Sequence, residues 1–192
     1  LFFASTSEVY AGTLEYGELD IPTPENSLLT ISSLREPRTS YMLSKIIGEA
    51  MLQQGGIPFT IFRPHNLYGP RMGLSHVIPE QLEKAYQANP GDKLGVWSPK
   101  HTRSFCYIDD AVEMLKSMME NDSCLGKTLN LGTQSTEVTI REVVEICITV
   151  TGKDLGVFNL GETPGSPTRR APDMSLTTKL LNYESKVSLR EG

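Results

Sequence analysis

The sequence predicts an α/β protein built around a layered, parallel sheet. Short apolar runs of strand length recur along the chain, at Leu1–Ser5, Phe59–Phe62 and Thr128–Leu131. Stretches of helical length separate them, several carrying a start or stop signal. No internal repeat or low-complexity tract interrupts this alternation, which argues against a sandwich or a helical bundle.

Taken in order, Leu1–Ser5 reads as a buried strand, and the polar, proline-bearing stretch from Thr13 to Arg38 as a long loop. A helix follows from Ser40 to Gln54, stopped by Gly55-Gly56. Phe59–Phe62 is a second strand, and "RPHNLYGPRMG" a turn-rich connection with two prolines and two glycines. Val77–Ala88 reads as a helix, while Leu94–Trp97 and Ser104–Tyr107 read as short strands. A helix opens at Asp109 and runs to Met119, with Asp109 and Asp110 capping its first turn. After the strand at Thr128–Leu131, Thr139 begins a helix to Val150, and Glu142 three residues on makes a capping box. Val157–Leu160 is a weak strand, "GETPGSPTRRAPD" a loop, and Ser175–Leu181 a short helix.

At 192 residues the chain can bury one sizeable core, or one domain with part of another. With 39% hydrophobic and 21% charged residues, neither a disordered nor a fibrous protein fits. A net charge of -5 argues against a nucleic-acid partner, and the pair Arg169-Arg170 is too small to reverse that. No apolar run approaches the roughly 18–20 residues a membrane span needs, and no signal peptide is evident, so no membrane partner is expected. Cys106, Cys124 and Cys147 are odd in number and show no metal-binding spacing, which predicts free thiols and a cytoplasmic setting. His65, His76 and His101 show no pairing that suggests zinc, so no metal is expected. The chain opens directly in a strand, without methionine, which predicts a piece of a longer protein.

The strongest chemical constellation is "YMLSK". Tyr41 and Lys45 stand four apart, so phenol and ammonium share one helical face. An ammonium beside a phenol stabilises the phenolate, which makes Tyr41 a candidate general base. A half-buried tyrosine beside a solvated lysine has the same spacing. Thr6, Ser7 and Glu8, in "STSEVYAG", follow the first strand, and carboxyl ends of parallel strands are where ligands bind. The same residues would also serve as caps of a polar turn.

Together these stretches resemble the extended short-chain dehydrogenases that modify nucleotide sugars: NAD-dependent epimerases, 4,6-dehydratases and UDP-glucuronate decarboxylases. The resemblance runs through "STSEVY", "YMLSK", "FTIFRPHNLYGPRMG", "HVIPE", "TRSFCYIDDAVEML", "TLNLGT", "RRAPDMS" and "KVSLREG" in that order. It implies the C-terminal part of a Rossmann-type sheet, residues 1–67 and 104–132, with a smaller α/β substrate domain formed by 68–103 and 133–192. The cofactor it implies is NAD, with NADP not excluded. The implied substrate is a nucleotide-diphosphate sugar, and the implied assembly a homodimer of the full-length protein. Thr6 then hydrogen-bonds the sugar 4-hydroxyl, Tyr41 removes its proton, and Lys45 holds the nicotinamide ribose.

Arg63 and His65 join Tyr41 and Lys45 as implied cofactor contacts. Asn66, His76, Val77, Arg103 and Arg170 are implied substrate contacts, the two arginines gripping the diphosphate with guanidinium forks. Glu8 matches the carboxylate that handles the C5 proton of a 4-keto sugar. Ser7 stands where dTDP-glucose dehydratases carry an aspartic acid, so the Thr-Ser-Glu pattern is more like the UDP-glucuronate decarboxylases and GDP-mannose dehydratases. No G-x-G-x-x-G or G-x-x-G-x-x-G occurs in the 192 residues, and Gly161 and Gly165 flank a proline-containing loop. The N-terminal dinucleotide-binding strands are therefore expected to be absent from this stretch, and the stretch alone to be inactive. Outside the enzymes, the rival reading is a non-catalytic nucleotide-binding regulator of the same fold, which would gain nothing from a phenol beside an ammonium.

Overall fold

A computed structural model of the chain describes residues 1–31, 33–135, 137–163 and 166–192. Its central sheet consists of β1 (Phe2–Ala4), β2 (Thr60–Pro64) and β7 (Lys127–Leu131), ordered β1-β2-β7. All pairing within it is parallel, with Phe3 opposite Ile61 and Phe62 opposite Leu129. Helix α2 (Thr39–Gln54) covers one face. There Gly48 lies so close to the Phe3 ring that an added Cβ would stand 2.4 Å from its Cζ, so any larger residue would push the ring aside. The other face packs against α4 (Ile108–Glu120) and α6 (Ser175–Leu181), burying Ala111, Met114, Met118, Leu129, Leu131 and Met174. The parallel α/β architecture expected from the alternation is the one observed.

A second cluster forms around α3 (Val77–Gln87) and α5 (Ile140–Thr151), which pack on each other. They enclose Ala85, Val144 and Ile148 against Leu94 and Val96 of β4 (Lys93–Trp97). β4 pairs in parallel with β9 (Gly156–Gly161). The capping box at α5 is present in full: Thr139 Oγ1 accepts from Glu142 N at 3.1 Å, and Glu142 accepts from Thr139 N at 2.6 Å. Gly152, at φ 68°, ends the helix in the left-handed conformation that glycine adopts without cost.

Several local expectations need correction. The loop expected from Thr13 begins after Glu15, because a 3-10 turn at Ser7–Tyr10 leads straight into a short helix α1 (Ala11–Glu15). "RPHNLYGPRMG" contains a strand, β3 (Leu67–Tyr68), which pairs with β6 (Cys106–Tyr107), and Ser104 and Phe105 fall outside any strand. Within the expected loop "GETPGSPTRRAPD", Pro164 and Gly165 lie outside the described residues, as does Ser32 of the earlier loop. Its Arg169–Arg170 form β10, parallel to β5 (Thr102–Arg103). β5 in turn pairs antiparallel with β8 (Val138–Thr139).

Asp109 and Asp110 do not cap α4, whose N-terminus has no side-chain cap. Asp110 instead accepts the backbone N–H groups of Lys186 and Val187 and the Tyr183 hydroxyl, pinning the tail to the core. The three cysteines are buried free thiols; burial pushes Cys106 to about 12 and Cys147 to about 11. Among the described residues no helix is long and apolar enough to cross a membrane, and no group of three or more His, Cys, Asp or Glu could hold a metal ion.

Candidate active site

The chain turns after β1 because Thr6, in extended conformation, caps the 3-10 turn: its Oγ1 accepts from Glu8 N at 3.2 Å. Thr6 and Ser7 are buried, whereas Glu8 keeps its carboxylate partly open. The 3-10 turn packs on α2, so two segments more than 30 residues apart meet at the carboxyl end of β1. Lys45 fixes this junction: its Nζ donates to Ala4 O at 2.8 Å and stands 5.7 Å from the Tyr41 ring centroid. Tyr41 leaves 42% of its surface exposed. Phenol and ammonium thus share a face, with the phenol ring open to solvent.

Glu8 is held by two guanidinium groups, with Arg170 Nη1 at 3.1 Å and Arg38 Nη2 at 3.3 Å from its Oε1. Arg38 precedes α2 at φ 75°, a left-handed conformation uncommon outside glycine. The strand pairing of β10 sorts the two adjacent arginines. Arg169 grips Glu137, with Nε 2.8 Å from Oε2, while Arg170, on the opposite side of the strand, reaches Glu8. Arg103 lies beside Arg170 in register. Its guanidinium donates to Thr102 O and Pro167 O at 2.7 Å and to Ser166 Oγ at 3.1 Å. Among the described residues no carboxylate lies within ion-pair distance of Arg103. Burial and the charge of Arg170 lower it to about 10, an environment that favours an incoming anion.

Arg63 faces inward. Its Nε and Nη2 donate to Glu49 at 2.9 and 2.6 Å, and Nη1 donates to Tyr10 Oη and to Glu25 O. Ser5 Oγ also donates to Glu49. His65, the second implied cofactor contact, is buried with its Nε2 3.0 Å from Asn130 Oδ1. Asn66 donates from Nδ2 to Ser104 O at 3.1 Å. His76 and Val77 stand at the head of α3, where Val77 packs against the cluster of Tyr68, Ile78, Val143 and Cys147. Thr6, Ser7, Glu8, Tyr41, Lys45 and Arg170 are therefore drawn around the end of β1, with Arg103 next to Arg170 in register; His76 and Val77 are not.

Three residues at this centre lie outside the sequence expectations. Asn130 joins six partners: its Nδ2 donates to Thr23 O and Asp173 O, its backbone N to Glu25, its O accepts from Thr177 Oγ1, and its Oδ1 faces Tyr10 and His65. A polar residue inside the apolar run "TLNL" was its signal. Glu49 and Arg38 carried none: a glutamate in a helix and an arginine in a polar loop are ordinary.

The model described as NAD dependent epimerase/dehydratase family matches residues 1–132. The chain belongs to that family. Among curated epimerase/dehydratase relatives, UDP-glucuronic acid decarboxylase 6 of Arabidopsis thaliana is 33% identical over 100% of this chain and 54% of its own length. An uncharacterized UDP-glucose epimerase of Bacillus subtilis, YtcB, is 27% identical over 99% of this chain and 57% of its own. UDP-glucuronic acid 4-epimerase from Bacillus cereus, solved in complex with NAD, superposes with a TM-score of 0.78 at 25% identity, covering 100% of this chain and 56% of that one. The chain thus spans about half the length of the curated relatives it matches.

Proposed function

We propose that this chain carries the catalytic and sugar-nucleotide portion of an NAD-dependent nucleotide-sugar epimerase or dehydratase working through a 4-keto sugar. The observation that carries this reading is the Tyr41/Lys45 face of α2, with Lys45 anchored on Ala4 at the end of β1. Thr6 hydrogen-bonds the sugar 4-hydroxyl while Tyr41 takes its proton. Lys45, with one ammonium hydrogen on Ala4 O, keeps two for the phenol and for a ribose hydroxyl. Arg103 and Arg170 hold the diphosphate, where the lack of a carboxylate on Arg103 leaves charge for an anion. In this reading residues 1–67 and 104–132 serve the cofactor side, and 68–103 with 133–192 the substrate side.

The residues present fit the nicotinamide end of the cofactor. An open phenol and an ammonium share one face, and a buried nitrogen of His65, the residue after β2, lacks a partner among the described residues. Bound there, NAD supplies what side chains cannot, an acceptor for the hydride of sugar C4. The sequence offers no glycine-rich turn for the pyrophosphate.

The test is Tyr41→Phe in the protein at its natural length. Turnover should fall by about 10²–10⁴-fold with sugar-nucleotide affinity nearly unchanged. Turnover within a few-fold of wild type would assign the base elsewhere and leave room for a binding-only role.

A second reading is a UDP-glucuronate decarboxylase. Its support is the pair of cations on Glu8, Arg38 and Arg170, a setting suited to a sugar that carries its own carboxylate. A 4-keto glucuronate is a β-keto acid and loses CO2 readily. Release of CO2 from the glucuronate substrate separates this from epimerisation. In Glu8→Gln, stalled NADH with little solvent deuterium at C5 marks chemistry after oxidation; full activity with no label at C5 leaves the 4-epimerase.

A further inference from the structure

The buried imidazole of His65 has one nitrogen engaged and one without a partner among the described residues, and the neighbours decide which is which. Asn130 Nδ2 donates to two backbone carbonyls, Thr23 O at 2.9 Å and Asp173 O at 3.0 Å. Reversing that amide would set an oxygen against two carbonyl oxygens, so Asn130 Oδ1 is fixed on the side of His65. Oδ1 only accepts, so the His65 Nε2 at 3.0 Å from it carries the proton. Tyr10 donates its hydroxyl to the same Oδ1 at 3.2 Å, and Arg63 donates to that hydroxyl, so no proton is free to reverse the arrangement.

Nδ1 is consequently an unprotonated acceptor. It has no hydrogen-bond partner among the described residues, in a residue only 2% exposed. A buried acceptor left in that state is costly, so a group that completes it is held with preference. The open space that His65 borders is a recess of about 10 Å³, room for one small group, shared with Ser7, Tyr10, Leu14, Thr23, Arg169 and Arg170. The recess therefore adjoins the turn after β1 and both arginines of β10.

We infer that His65 reads the bound ligand: its Nδ1 accepts a hydrogen bond from a neutral donor, either a sugar hydroxyl or a carboxamide N–H. The inference rests on the functional reading above, and it names the atom, its tautomer and the chemistry of its partner. Burial, with the charges of Arg170 and Arg63, pushes His65 down to about 3, so the acceptor persists at any working pH. A cationic group is unsuited to the recess, since Arg170 already borders it. A ligand that presents an ether or a methyl group there leaves Nδ1 unpaired and is rejected.

The experiment is long-range 1H–15N spectroscopy of the histidine rings in the natural-length protein, with His65 assigned by loss of its signals in His65→Phe. The expected free spectrum is a proton on Nε2 and an unprotonated Nδ1 from neutral pH down to at least pH 5. A proton on Nδ1 would overturn the inference before any ligand is added. UDP-glucuronate and NAD+ are then added in separate arms, with binding followed by calorimetry. A shift of Nδ1 toward the hydrogen-bonded position with UDP-glucuronate assigns the sugar hydroxyl, and one with NAD+ assigns the carboxamide. In the arm that moves, His65→Phe should weaken binding by roughly 3- to 10-fold, the worth of one neutral hydrogen bond. Binding in calorimetry without movement of Nδ1 in either arm overturns the role of His65 and leaves the proposed function standing. Absence of binding in both arms overturns both.

Discussion

Glu49 with Arg63 and Glu8 with Arg170 are the same two charges in two settings. In the first pair both side chains are buried, at 4% and 3% exposure, and the fork is closed by two bonds with Ser5 and Tyr10 filling the remaining positions. In the second, Arg170 makes one bond of 3.1 Å, Arg38 shares the carboxylate, and water reaches all three groups. A carboxylate saturated in a dry interior is part of the scaffold, since any rearrangement strands a charge. A carboxylate held loosely by two cations can exchange partners at small cost. The β1 turn thus stands between a rigid clamp behind it and an adjustable one in front.

The largest effect expected from this contrast is on the buried side. Glu49→Ala strands the Arg63 guanidinium and should cost about 3–5 kcal/mol in urea unfolding. A loss below about 1 kcal/mol would erase the distinction between the pairs. The next effect concerns His65, on which both Arg63 and Arg170 bear. Its folded value of about 3 lies below the ordinary 6.5, so between these the unfolded chain binds more protons and stability drops as pH falls. From pH 7 to pH 5 that single group accounts for about 2 kcal/mol. Urea midpoints at the two pH values should show the fall in wild type and a flatter response in His65→Phe.

On the open side the expected changes are smaller. Glu8→Gln should alter unfolding by less than about 1 kcal/mol, the range of exposed ion pairs, while changing the response to sugar nucleotide. A loss above about 2 kcal/mol would make Glu8 a second scaffold carboxylate. Smallest is Arg38→Gly, which loses an exposed contact but relieves a φ of 75°. Thermal unfolding should leave it between unchanged and about 1 kcal/mol more stable.

The framework was legible because it is local. Strand and helix lengths, the Thr139/Glu142 box and the Tyr41/Lys45 spacing are each decided within a few residues. What the sequence concealed depends on partners far along the chain. Arg169 and Arg170 read alike until β10 pairs with β5 and turns one to Glu137 and the other to Glu8. Asp110 read as a cap because its helix starts there, yet its partners are 73 or more positions away. Arg63 reads by resemblance as a cofactor contact, and the four bonds it donates inward go to three separated segments. Charge tells what a residue can hold; topology tells what it does hold.

The bond between Arg170 and Glu8 closes over 162 positions of sequence. Contacts of that range are among the slowest to form, because the intervening chain must be ordered first. During synthesis, Tyr41, Lys45 and the turn after β1 leave the ribosome long before β10 does. A nascent chain therefore holds Tyr41, Lys45 and Glu8 before Arg170, the second cation on Glu8, has been made. The two-cation setting of Glu8 is therefore completed late, only once β10 has paired with β5.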